Sequence, residues 1–140
     1  MDPIRLHYVV SCDDFSRAGE ASSHMKQTLK SLGFAPDVVR RTAIAMYEGE
    51  INMVIHAKGG EITVDVLPTR IVIRLADVGP GIPDVDLAMT EGYSTATDSV
   101  RNLGFGAGMG LPNMKKYTDE LEVHSTIGIG TTVIMQINVA

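Results

Sequence analysis

The sequence has no tryptophan, one cysteine, three phenylalanines and four tyrosines among 140 residues. With Cys12 as its lone thiol, it excludes an internal disulfide and a cysteine metal cluster. So few aromatics leave the core to Ile, Val, Leu and Met. Basic charge is also short. Twelve Lys and Arg against seventeen Asp and Glu give a net charge of -5, so no basic field favours direct nucleic-acid binding. No apolar run reaches membrane-spanning length and the acidic start lacks a signal-peptide pattern, which predicts a cytoplasmic protein with no membrane partner. His7, His24, His56 and His124 lie far apart, so a histidine metal site would have to be assembled by the fold. Each reads as a surface or half-buried histidine.

What is present is apolar and rich in glycine. Hydrophobic residues make up 44% of the chain and the mean hydropathy is +0.10, enough for one domain over residues 1–140 with a substantial core. Six of the fourteen glycines fall between Gly104 and Gly130.

Periodicity orders the chain. Ile4 to Val10 alternates as a strand, with Asp13 and Asp14 as candidate helix caps. From Phe15, the positions Phe15, Ala18, Ser22, Met25, Leu29 and Leu32 recur at helical spacing and Gly33 closes the run. Pro36 opens a long second helix to about Ala57, stopped by Gly59 and Gly60. Glu61 to Leu67 and Arg70 to Ala76 form a hairpin about Pro68-Thr69. A short helix over Asp84 to Glu91 and a long loop over Gly92 to Phe105 follow; loops of that length in compact domains tend to be functional or disordered. A third main helix starts at Gly110, and a last hairpin, Leu121 to Thr126 and Thr131 to Val139, turns at Gly128-Ile129-Gly130. These elements predict an α+β fold: a two-layer sandwich, its mainly antiparallel sheet of four to five strands carrying three main helices on one face.

Three stretches carry candidate chemistry. Asp77, at a strand end, precedes Gly79, Pro80, Gly81 and Pro83. A carboxylate there can accept hydrogen bonds from a flat ligand, although the pentapeptide taken alone reads first as a surface turn. Glu48, Asn52 and His56 share one face of the second helix, flanked by Ala45 and Ile55. A carboxylate and an amide at that spacing suit magnesium, which keeps several waters; the plain alternative is a solvated helix face. Glu50 lies off the stripe and is assigned no role. Gly104, Gly106, Gly108 and Gly110 run straight into the third helix, as a loop closing over phosphate at a helix N-terminus would, or as a mobile linker would. No Gly-Lys-Ser/Thr follows, and no strand precedes, so this is neither a P-loop nor a dinucleotide fingerprint.

In order and spacing these segments resemble the GHKL (Bergerat-fold) ATP-binding family over nearly the whole chain. Glu48xxxAsn52 is similar to its N box, Asp77xGly79xGly81 and Gly106xGly108xGly110 to its two glycine boxes, and Gly128-Ile-Gly130-Thr131-Thr132 to its last box. PGIPDVDLAMTEGYST and GMGLPNMKKYTDELEVHS resemble the anti-sigma-factor serine kinases of bacterial stress and sporulation circuits.

The resemblance implies ATP and Mg²⁺ as cofactors, Asn52 as the metal ligand and Glu48 as the general base. It makes Asp77 the acceptor for the adenine amino group, with Thr131 or Thr132 nearby through water. Gly79 and Gly81 would shape the adenine pocket. Gly106, Gly108, Gly110 and Leu111 would lead the backbone to the phosphates, and Gly92 to Phe105 would form a lid carrying Arg101 towards the γ-phosphate.

The implied activity is phosphorylation of serine or threonine on a small STAS-domain antagonist protein. The alternative is a nucleotide-gated module with little turnover that sequesters a sigma factor or activates a partner phosphatase; a homodimer is left open. A third class, an interaction protein without nucleotide, rests on the plain readings above. A histidine kinase would need a helical phosphoacceptor domain, for which this length leaves no room. Two departures stand out. Gly49, directly after the expected base, costs a helix about 1 kcal/mol against alanine, predicting a loosened Glu48. The lid is also longer than in the shortest relatives.

Overall fold

The computed structural model describes residues 3–11, 15–56, 59–79, 81, 89 and 110–139. Its elements run β1 (Ile4–Val10), α1 (Glu20–Ser31), α2 (Pro36–His56), β2 (Gly60–Val66), β3 (Arg70–Asp77), α3 (Gly110–Tyr117), β4 (Glu120–Thr126) and β5 (Gly130–Asn138). The five strands form one sheet in the order β1-β2-β3-β5-β4, and every neighbouring pair is antiparallel. The predicted architecture is therefore the observed one. The expected helix over Asp84 to Glu91 and the loop over Gly92 to Phe105 lie outside the described residues, Met89 apart.

Alternation explains how the sheet takes its helices. Ile62, Val64 and Val66 of β2, Ile71, Ile73 and Leu75 of β3, and Val133, Met135 and Ile137 of β5 are buried, while their neighbours along each strand are more open. One face is thus apolar and must be covered. Helix α2 lies over the middle of that face against β3 and β5, with α1 on its β1 side and α3 on its β4 side. Met25 and Leu29 of α1, Met46 and Val54 of α2, and Met114 of α3 complete the core. Each such side chain stabilises the fold by about 1.5–3 kcal/mol through burial alone. The opposite face carries His7, Glu61, Arg74, Glu122 and His124, and faces solvent.

Helix α1 begins later than its apolar stripe suggests. Residues Phe15–Arg17 form a 3-10 turn, and α1 starts at Glu20 after Gly19, which is left-handed at φ 94°. Asp13 and Asp14 fall outside the described residues. The amides of the first turn find their acceptor on another helix: Glu50 of α2, only 3% exposed. Its Oε2 accepts from the Gly19 N–H at 3.0 Å and the Ala21 N–H at 3.3 Å. Its Oε1 accepts from the Ser22 N–H at 3.0 Å and the Ser22 hydroxyl at 2.6 Å. A side chain assigned no role from the sequence is the cap of α1, supplied from the tertiary structure.

Gly49 also gains a reason. A Cβ there would stand 2.5 Å from Leu75 Cδ2 and 3.4 Å from Met114 Sδ. The missing side chain lets α2 settle onto β3 and against α3, so packing holds the helix at the point where propensity alone predicted it to be loose.

Candidate nucleotide site

Three elements end at the same rim of the sheet. Register pairs Val10 with Gly60 and Gly60 with Asp77, and β5 enters beside them with Thr132 opposite Ala76. Asp77 continues the helix-facing row Ile71, Ile73 and Leu75. Its Oδ1 accepts the Thr131 backbone N–H at 2.8 Å, which fixes the direction of the carboxylate. Burial pushes the Asp77 carboxyl above the usual carboxylate range, and the Thr131 N–H partly offsets this.

The two threonines part company here. Thr131 is buried on the side of Asp77, and its hydroxyl lies 2.9 Å from the Ser125 hydroxyl. Thr132 sits beside Ala76 in the register, on the opposite face. Strand alternation therefore singles out Thr131 as the partner of Asp77; the sequence alone left both open.

The glycines after Asp77 serve close backbone contact. Gly81 has φ 78°, and a Cβ on it would stand 2.7 Å from the Thr126 carbonyl oxygen. The Gly79 N–H donates to the Ile129 carbonyl at 3.1 Å. On the other side, a Cβ on Gly130 would collide with the Asp77 carbonyl. The segment after β3 and the β4–β5 turn are thereby laid against each other, and together they brace Asp77 from below.

Helix α2 brings the second group. Met53, next to Asn52 in the chain, borders Gly60 together with Asp77. One turn earlier Glu48 is half-buried, and its Oε1 accepts a hydrogen bond from Asn113 Nδ2 of α3 at 3.2 Å. Burial raises the Glu48 carboxyl above its ordinary range, and the Asn113 amide pulls it partly back. Asn52 is half-buried on the same helix face, while the side chain of His56 is outside the described residues. Among the described residues no cluster of three or more His, Cys, Asp or Glu gathers.

Gly110 opens α3, and Leu111 is buried against the core, so the helix start is anchored. Arg101, Gly106 and Gly108 lie outside the described residues. The structure brings Asp77, Thr131, Gly79 and Gly81 together where the segment after β3 meets the β4–β5 turn, and separately sets Glu48 against Asn113, which sequence reading missed. The available signal was its place in the first turn after the glycines.

Among the described residues, no helix is long and apolar enough to cross a membrane. Residues 43–140 match the family model described as histidine kinase-, DNA gyrase B-, and HSP90-like ATPase. That span runs from within α2 to the end of the sheet and contains all the candidate site residues. Similar proteins include the serine/threonine-protein kinase RsbT of Bacillus subtilis, 32% identical over 112 residues covering 77% of this chain and 78% of that one. The anti-sigma F factor of Caldanaerobacter subterraneus subsp. tengcongensis is 42% identical over 96 residues, covering 65% of this chain and 64% of that protein. That of Clostridium acetobutylicum is 32% identical over 131 residues, covering 89% of this chain and 83% of its own length. A clamped carboxylate at the end of β3, a carboxylate and amide one turn apart on α2, and a family match spanning both place this chain in the GHKL ATPase family.

Proposed function

We propose that this chain is a serine/threonine-protein kinase of the anti-sigma regulatory type, using ATP and Mg²⁺ to phosphorylate a small STAS-domain antagonist protein in the cytoplasm. The reading takes residues 1–140 as one ATP-binding kinase domain. The observation that carries it is the clamped Asp77, with one oxygen fixed by the Thr131 N–H at the rim where Met53 of α2 borders Gly60. Its second oxygen is the acceptor for an adenine amino group, and Thr131 supplies the neighbouring hydroxyl.

Each residue then has a positional task. Asn52 would present its amide oxygen as the protein ligand of the cation. Bound Mg²⁺ would neutralise phosphate charge, which is most of what phosphoryl transfer needs from a catalyst. Gly110 and Leu111 begin α3, whose N-terminal amides suit phosphate; Gly106, Gly108 and Arg101 are assigned to the same end by the family resemblance. Glu48 accepts the proton of the incoming hydroxyl as its oxygen bonds to the γ-phosphorus and the bond to the ADP oxygen breaks. Partial burial favours that step, because a carboxylate raised above its usual range is a better base.

The test is a single turnover with γ-labelled ATP, Mg²⁺ and a STAS-domain antagonist from the same genome. Wild type labels the partner, and Glu48→Ala slows labelling by roughly two to four powers of ten with ATP affinity nearly unchanged. A wild-type rate in Glu48→Ala would remove Glu48 as the base.

The relatives named anti-sigma F factor favour a second reading, a nucleotide-gated module that holds a sigma factor or partner phosphatase with little turnover. If wild type binds ATP and the STAS-domain protein yet moves no label, this second reading replaces the first.

A further inference from the structure

The base proposed above has one named neighbour that no part of that mechanism uses. Asn113 lies in the first turn of α3, three residues after Gly110, and donates from Nδ2 to Glu48 Oε1 at 3.2 Å. The residues on either side hold it in place: Leu111 and Met114 are buried, and Met114 packs where Gly49 has no side chain. The contact therefore joins two anchored helices, and the bond has a fixed donor. Its chemistry is also selective. A lysine or arginine in this place would neutralise Glu48 and depress its basicity. A neutral amide holds one oxygen and leaves the charge of the group intact.

We propose that Asn113 is the positioning residue for Glu48, selecting the carboxylate orientation that meets the incoming hydroxyl and tying it to the helix that follows the glycine-rich segment. This rests on the kinase reading and on Glu48 as its base. It assigns to α3 a second task besides its N-terminal amides: the same short helix that would meet phosphate also sets the base. Asn113 touches no reacting atom, so its removal leaves a base that is present but aligned for only part of the time.

The experiment is a double-mutant cycle in the single-turnover assay with γ-labelled ATP, Mg²⁺ and a STAS-domain antagonist from the same genome. Asn113→Ala is expected to slow transfer roughly ten- to hundredfold, with ATP affinity within about twofold of wild type. In the Glu48→Ala background the same change is expected to have no further effect, because nothing is left to position. Asn113→Asp keeps the shape but replaces the donating amide with an acceptor that cannot hold the Glu48 oxygen, and is expected to slow transfer as well. Melting temperatures establish that each variant is folded.

A wild-type rate in either Asn113 variant overturns the inference. So does an equal loss in the wild-type and Glu48→Ala backgrounds, which marks a general structural effect. If Glu48→Ala itself transfers at the wild-type rate, the base assignment fails first and this inference falls with it. An unlabelled partner in the wild-type reaction removes the kinase reading beneath both.

Discussion

Glu48 and Glu50 are two residues apart on one helix and have opposite fates. Glu50 points under α1 and accepts four hydrogen bonds, three from backbone N–H groups and one from the Ser22 hydroxyl. Glu48 points towards α3, half-buried, and accepts from one neutral amide. A carboxylate surrounded by donors is a structural part, since protonating or moving it would break the start of a helix. One that burial has raised and a single amide has aimed is able to take up a proton. The contrast shows that burial alone does not mark a functional acid in this fold. What differs is how much of the hydrogen-bonding capacity is already committed.

The largest expected effect on stability separates the pair. Glu50→Ala would strip the acceptor from the start of α1 and is expected to cost about 3 kcal/mol, measured by urea unfolding at neutral pH. Glu48→Ala is expected to unfold at or slightly above the wild-type midpoint, because it removes a carboxylate whose burial is unfavourable. Equal midpoints for Glu50→Ala and wild type would break the comparison.

Gly49 between them gives a sharper sign test. Helix propensity alone predicts that Gly49→Ala stabilises by about 1 kcal/mol. The contact with Leu75 predicts the reverse, an overpacking cost of about 1–3 kcal/mol, leaving a net loss of about 1 kcal/mol. A raised melting temperature would mean that α2 does not sit as close to β3 as described.

Much of this was legible in the sequence. Alternation located all five strands, Pro36 and Gly59 bounded α2, and the shared helix face of Glu48 and Asn52 and the place of Asp77 at a strand end were readable from spacing. What stayed hidden depends on partners distant in the chain. Glu50 looks idle because its donors lie 28 to 31 residues away. Gly49 looks like a weakness because Leu75 and Met114 belong to other elements. The choice of Thr131 over Thr132 needs the register with β3, which local pattern does not supply. Asn113 could be placed on a helix from sequence, but only the packing of α3 against α2 shows that it meets Glu48.

Asp77 belongs with Glu48 in the comparison, and its effect on the nucleotide-free protein is the smallest. Burial raises its carboxyl in the folded state. Such a group contributes stability that is complete below the unfolded pKa and is lost as pH rises through the folded value. Asp77→Asn keeps an acceptor for the Thr131 N–H without the charge. The melting temperature of the variant is therefore expected to match wild type near pH 3 and to exceed it modestly at pH 7, the gap opening from about pH 4 upwards. A gap that closes on raising the pH would contradict the assignment.

The same variant gives the most direct test of the central claim, that Asp77 at the rim of the sheet holds a nucleotide base. The measurement is a calorimetric titration of wild type and Asp77→Asn with ATP in the presence of Mg²⁺. Wild type is expected to bind and to melt at a higher temperature with ligand, since a ligand taken only by the folded state stabilises it. Asp77→Asn, folded and slightly more stable without ligand, is expected to lose most of both signals. No heat and no shift in the wild-type protein, or undiminished binding in Asp77→Asn, would contradict the account.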